Sequence, residues 1–379
     1  MHPSAMSGTP GRRDVLVSPD PPQVASIELI RVRVPLRSTH RSSHLTESAR
    51  QSVLVRITDV NGVTGTGECP ALGAAGYVVE TIDVAWSALS SDLAPSWLAG
   101  RHGMSIGAPC ATAAMADASL DLWLRSQHRS LADWLGVDPA RPVRWCAVLA
   151  DVRLDPQTTL DRAREAVDSG ASMVKLKFDD PATLRRQVAA VRSELAVPLA
   201  ADANGTLDPR SARKLDDLAL TYLEQPLPVA AGVESYRQLR EDTDTPVALD
   251  ESLTSLDALA WALRNDALDL ASVKPARMGG LVQAANAIAL CSKDGVGAFV
   301  GGMFELGVGR AGGLVLASLP GCSEPTDLGP SQRYFDRDVV EPLRTDDGGA
   351  ITLPSGPGLG RVLDEEAVDL YTVDRLELR

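Results

Sequence analysis

Five residues able to do acid–base or metal chemistry recur at near-even intervals: Lys177, Asp202, Glu224, Asp250 and Lys274 are separated by 25, 22, 26 and 24 residues. Each closes a short apolar segment, in residues 173–178, 199–204, 222–226, 247–251 and 271–275. A step of that length holds one strand, one helix and two loops, the repeat of a parallel β/α barrel, whose chemistry sits where the strands end at the C-terminal face. In a barrel of about eight strands the two lysines fall on opposite walls, with the three carboxylates on neighbouring strands between them. Three converging carboxylates cannot all stay ionised without a cation, and all-oxygen ligation favours a hard ion, Mg²⁺ first and Mn²⁺ second. An isolated aspartate at a strand end would read as a helix N-cap. Three carboxylates at barrel period, bracketed by lysines, make Asp202, Glu224 and Asp250 the expected metal ligands, flanked by two bases.

The neighbours of these residues refine the site. Lys175 and Lys177 are two apart on a strand, so both side chains leave the same face. Two ammonium groups so close disfavour each other's protonation, which would depress the pKa of the reacting one toward a useful base; the plain alternative is a solvated basic strand end. Glu251 must point away from Asp250 on an extended strand, either supporting the ligands from behind or taking the ligand role itself. Arg277 is expected beside Lys274, and Asn204 either steers a substrate carboxylate or orients a ligand. The run Gly301-Gly302-Met303-Phe304-Glu305 lets backbone approach a substrate, which makes Gly302, Met303 and Glu305 candidate contacts, with glycine for packing an equal reading.

These motifs in this order, Lys-x-Lys, Asp-x-Asn, Glu-Gln-Pro, Asp-Glu-Ser and Lys-Pro, resemble the enolase superfamily, muconate-lactonizing-enzyme subgroup. Gly309-Arg310-Ala311, Ala317-Ser318-Leu319-Pro320, Arg333-Tyr334 and Gly356-Pro357-Gly358-Leu359-Gly360 are similar to the N-succinylamino acid racemase/o-succinylbenzoate synthase branch, and the resemblance spans roughly residues 24–363. It implies an α/β fold: a (β/α)7β TIM-like barrel with an α+β capping domain formed by the N-terminal part and the C-terminal tail. It implies Lys177 as the base, tuned by Lys175, with Lys274 facing it, and Mg²⁺ or Mn²⁺ stabilising an ene-diolate. The activity implied is abstraction of the proton α to a substrate carboxylate, foremost in racemisation of N-acyl (N-succinyl) amino acids. The alternative is the syn-dehydration of o-succinylbenzoate synthase, or both activities; a dipeptide epimerase, a muconate-type cycloisomerase and a catalytically silent binding protein are more remote. Departures from the branch are Thr326 for a usual Gly, Phe304 for a usual Leu, and a short interval between Asp202 and Glu224, read as a trimmed outer helix. They bear on substrate size and shape and leave the mechanism untouched.

The chain's totals accommodate this organisation. At 379 residues it holds a barrel of about 250 residues and a second domain. A net charge of −13 argues against nucleic acid. The five cysteines are scattered and odd in number, as expected of reduced thiols in a cytoplasm, and there is no run of about 18 apolar residues to span a membrane. Residues 1–23, rich in Ser, Pro, Gly and Asp and without the apolar core of a signal peptide, are expected to form a disordered extension. Residues 24–140 form the expected N-terminal capping domain: alternating segments at 27–36 and 52–57, a hairpin turn at Asp59-Val60-Asn61-Gly62, and a helix over 111–124. The loop at 37–44 gathers Arg37, His40, Arg41 and His44 in an otherwise acidic protein. It reads either as solvated or as meeting an anionic substrate tail, with His40 and Arg41 the candidate contacts. Residues 141–330 form the barrel, with strands at 143–149, 173–178, 198–204, 221–225, 246–251, 270–274 and 297–303 and a weak eighth near 323–328. Residues 331–379 return to the capping domain. The partner expected is a small carboxylate substrate, with no nucleic acid and no membrane; apolar outer faces and family habit suggest a homo-oligomer.

Overall fold

The structure, a computed structural model, describes residues 15–20, 22–41, 46–74 and 80–379, with only the backbone of residues 40 and 41. The chain opens with three antiparallel strands, β1 (Val24–Arg41), β2 (Thr46–Asp59) and β3 (Thr64–Cys69). The turn between β2 and β3 closes through Asp59, whose carboxylate accepts from the Asn61 and Val63 amides, and Gly62 supplies the left-handed residue at φ +83°. Both faces of β1 are covered. Ile27 and Leu29 pack toward the long helix Pro109–Ser126, while Ile30, Val32 and Val34 pack toward Phe335, Val339 and Val340. That helix has alanine at 111, 113, 114 and 118, and its backbone comes so close to β3 that a Cβ on Gly65 would fall on Leu122 N and Ala118 O, and one on Gly67 on Ala114 O.

The seven strands that follow, β4 (Cys146–Leu149), β5 (Met173–Lys177), β6 (Leu199–Asp202), β7 (Leu223–Glu224), β8 (Val247–Leu249), β9 (Leu270–Val273) and β10 (Gly297–Val300), pair in parallel in sequence order. Each lies inside the span expected from the sequence, trimmed at its ends. Two parallel bridges close the ring: Cys322 to Ala298 on one side and Thr326 to Trp145 on the other. The eighth strand is therefore present only as these two bridges.

The outer helices start where the sequence supplies a cap. Asp155, Asp180 and Asp208 each accept backbone amides of the first turn of a helix that begins with proline, whose missing N–H costs nothing there. Between β6 and β7 the outer layer shrinks to Pro209–Arg213 and one 3₁₀ turn, as the short interval implied. Inside the ring, Cys146, Met173, Ala200, Tyr222, Ala248, Leu270 and Phe299 fill the floor beneath the strand ends.

The tail ends in β11 (Thr372–Leu378), which pairs antiparallel with β1 and brings Leu376 opposite Leu29. Of the segment before residue 24, Leu16 exchanges two backbone hydrogen bonds with the Asn286 side chain on helix Leu281–Lys293; residues 1–14 lie outside the described residues. Among the described residues no helix is long and apolar enough to cross a membrane.

The contact between β3 and the long helix gives a test. Gly65→Ala should lower unfolding stability by about 3 kcal/mol, since the added methyl meets backbone that cannot move aside. Gly103→Ala, where a Cβ meets nothing within 4 Å, should leave it within about 0.5 kcal/mol. Parallel urea melts decide; equal midpoints for the two variants would refute the close approach.

Candidate active site

The parallel register sets the chemistry side by side. Lys177 pairs across the sheet with Asp202, and Asp202 with Glu224, so three ionisable side chains stand level at the ends of β5, β6 and β7. Asp250 follows the end of β8, and Lys274 follows the end of β9. The cavity they open into is about 770 Å³, and Lys175, Lys177, Asp202, Asn204, Glu224 and Lys274 line it.

Each lysine is drawn onto a carboxylate. Lys177 Nζ donates to Asp202 Oδ2 at 2.7 Å and to Asn204 Oδ1 at 3.0 Å. Lys274 Nζ lies 2.8 Å from Asp250 Oδ2, and Arg277 Nη2 holds the other oxygen of Asp250 at 2.6 Å. Lys175, fully buried, bridges Glu224 and Asp327, the latter at 2.7 Å, and its ammonium sits 4.9 Å from the centre of the Phe299 ring. These contacts overturn the expected mutual depression of the two neighbouring lysines. Burial pulls the Lys177 ammonium down, but the Asp202 and Glu251 carboxylates more than offset it, and its pKa stands above the ordinary lysine value. Burial likewise pulls Lys175 down, and Asp327 and Glu224 reverse it. Carboxylates at hydrogen-bond distance outweigh a like charge two residues away.

The carboxylates respond in kind. Burial, then the neighbouring Asp202 and Asp250, push Glu224 up against the pull of Lys175. Glu251 is raised to about 7 by burial and by Asp250 and Asp202. Because β8 ends at Leu249, Asp250 and Glu251 lie in a turn where strand alternation does not apply. Glu251 therefore reaches the site, accepting from Asn204 Nδ2 at 2.9 Å. Its second oxygen is buried without a hydrogen-bond partner, as is Oδ1 of Asp327.

The other expected contacts divide. Gly302, Met303 and Glu305 line the cavity; Met303 also packs into the β1–β3 core, and Glu305 accepts from the Met303 amide. The side chains of His40 and Arg41 lie outside the described residues. Arg37 lines the cavity but is engaged by protein groups, donating to Gln332 O at 2.7 Å and lying 3.2 Å from Asp336.

Two residues escaped the sequence reading. Asp327 shares Lys175, and no apolar run marks the segment that carries it. Gln225, adjacent to Glu224 and at φ +38°, sends its Oε1 to the Asp250 and Ser252 amides and its Nε2 to Leu227 O, Tyr236 and Ser252. It fixes the turn that presents Asp250. The Glu-Gln-Pro motif was its only signal.

Among the described residues no three Asp, Glu, His or Cys side chains converge closely enough to hold a metal ion as they stand. The donor set nevertheless suits a hard divalent cation: it is all carboxylate oxygen, buried, on adjacent strands, with Glu224 and Glu251 pushed up by their neighbours.

Comparison with known proteins places this arrangement. The family profile described as "Enolase C-terminal domain-like" matches residues 158–367. The N-succinylamino acid racemase of Amycolatopsis sp. is 32% identical over 369 residues, covering 93% of this chain and 99% of that protein. The o-succinylbenzoate synthase of Bacillus subtilis (strain 168) is 30% identical, covering 92% and 96%. Among solved structures, a probable mandelate racemase from Alicyclobacillus acidocaldarius superposes with a TM-score of 0.83 at 31% identity, covering 94% of this chain and 99% of that one.

The role of Gln225 is measurable. Gln225→Met keeps the volume but strips acceptors from two amides, so unfolding stability should drop by about 3 kcal/mol. A denaturant midpoint unchanged from the parent would remove Gln225 from this account.

Proposed function

Because the chain belongs to the Enolase C-terminal domain-like family, in the muconate-lactonizing-enzyme subgroup of the enolase superfamily, we propose that it is a Mg²⁺-dependent enzyme that moves the proton α to a substrate carboxylate, racemising N-acyl, foremost N-succinyl, amino acids. The observation that carries this is the placement of Lys177 and Lys274 at the ends of β5 and β9, four strands apart around one cavity, with carboxylates on the strands between. The proposed ligands are Asp202, Glu224 and Asp250. A divalent ion bound there supplies positive charge to the three carboxylates and neutralises the second charge that develops on the substrate carboxylate when the α-proton leaves.

The chain's own residues do the rest. Lys177 in its neutral form would take the α-proton on one face, and Lys274 as its ammonium would return one on the other, so that the product is the enantiomer. Lys175, buried and clamped between Glu224 and Asp327, holds Glu224 in place and adds positive potential beneath Lys177. Asn204 spans Asp202, Lys177 and Glu251 and fixes their relative positions. Arg277 shares Asp250 with Lys274 and so sets how firmly that lysine is held.

Dehydration to o-succinylbenzoate is the second reading, favoured by the relative from B. subtilis that bears that name. It needs a single base, with Lys274 acting as a cation beside the intermediate.

Two experiments test the proposal. Chelation should abolish turnover, Mg²⁺ or Mn²⁺ should restore it, and Glu224→Gln should weaken metal binding measured by calorimetry; full activity in excess chelator would sink the assignment. In deuterated water, Lys177→Ala should stop α-proton exchange from one enantiomer and Lys274→Ala from the other. Either change should reduce racemisation by more than the roughly 10²–10⁴ of an auxiliary acid–base group. Single variants that still exchange both enantiomers would defeat the two-base scheme.

A further inference from the structure

The cavity wall opposite the metal-ligand strands is the seam where the eighth strand would lie. There the segment following Thr326 carries Asp327, Gly329 and, in a 3₁₀ turn, Arg333. The Arg333 guanidinium lies 4.8 Å from the centre of the Trp145 ring and 5.8 Å from that of Tyr334. Trp145 is itself pinned, its indole N–H donating to Gly349 O at 2.9 Å. A Cβ on Gly329 would come within 2.9 Å of the indole, so the glycine leaves room for the stack.

The other cations of the cavity are committed. Lys175, Lys177 and Lys274 hold carboxylates, Arg310 donates to the Gly329 and Glu305 carbonyls, and Arg37 holds Asp336. Arg162 is exposed to solvent. Arg333 differs: among the described residues its guanidinium makes neither an ion pair nor a hydrogen bond and its Nη1 is buried without a partner, whereas Arg310 leaves only its Nε unpartnered. The Arg333 guanidinium lines the cavity, fixed over aromatic rings with its N–H groups uncommitted to other protein groups, which suits it to a planar anion.

We infer that Arg333 reads the substrate's distal charge: the acyl group ends in a carboxylate, which the guanidinium takes as a fork while the α-carbon lies between Lys177 and Lys274. This rests on the reading of the site as an α-proton abstractor and adds the residue that selects the tail. It moves the expected reader of the anionic tail from the 37–44 loop to the seam.

The test compares an N-succinylamino acid with its terminal amide, equal in size but uncharged at the tail, in α-proton exchange by the Mg²⁺-loaded enzyme. The wild type should prefer the succinyl substrate in kcat/KM. Arg333→Gln should shrink that preference about ten- to hundredfold, chiefly through KM, and Arg333→Lys should recover part of it. Parallel losses on both substrates, or a preference that survives in Arg333→Gln, would overturn the assignment. If neither variant folds, the wild type decides alone: its preference must exceed about tenfold and shrink with added salt, and a ratio near one refutes the inference. If the wild type exchanges no α-proton from either compound, the proposed reaction falls. Titration calorimetry of the two compounds on wild type and Arg333→Gln then judges the tail contact separately, equal affinities in the wild type refuting it.

Discussion

Repulsion among buried carboxylates governs this molecule. Asp202, Glu224 and Asp250 are each at most 1% exposed, and such charges persist in a low-dielectric interior only beside cations held at hydrogen-bond distance. The barrel provides those cations from the same strand ends: Lys177 from β5, Lys274 after β9, Arg277 from the short helix after that, and Lys175 one layer lower. Replacing one lysine therefore leaves a buried carboxylate uncompensated, besides removing a proposed proton carrier.

Much of this was legible because a parallel barrel writes its chemistry at fixed intervals. Lys177, Asp202, Glu224, Asp250 and Lys274 each close an apolar segment, so periodicity alone grouped them. What stayed hidden depends on contacts between distant segments. Asp327 lies on a strand reduced to two bridges, which has no apolar run to betray it. The grip of Gln225 on the Asp250 turn crosses 25 residues of sequence. The direction of the lysine pKa shifts was misjudged for the same reason: adjacency along a strand is visible in the chain, whereas the carboxylate across the sheet is not.

The N-terminal sheet is tied to the barrel by two buried charges. Arg50, fully buried, donates to the carbonyls of Pro70 and Ala71 in its own layer and of Met303 and Phe304 in the barrel. Glu68 accepts from the Leu306 and Gly309 amides at the start of helix Gly307–Ala317, where a carboxylate complements the helix terminus. Burial raises its pKa to about 7 even so. Both contacts end on residues 303–309, the segment that also forms part of the cavity wall. Phe304, held at φ +65° with its ring edge-on to Tyr334, joins that segment to the turn carrying Arg333.

The incomplete eighth strand has a consequence for how such a molecule diverges. A strand bound by full ladders on both sides tolerates little change, because each residue is fixed by its neighbours. The segment between Cys322 and Arg333 is held by two bridges and a few further hydrogen bonds, and the one acidic group it gives the cavity wall is Asp327, which clamps Lys175. Around Asp327, substitutions or an added residue can accumulate there without breaking the ion pairs of the neighbouring strands. A lineage can thus trade one substrate for another by rewriting a dozen positions while the chemistry it inherited stays intact.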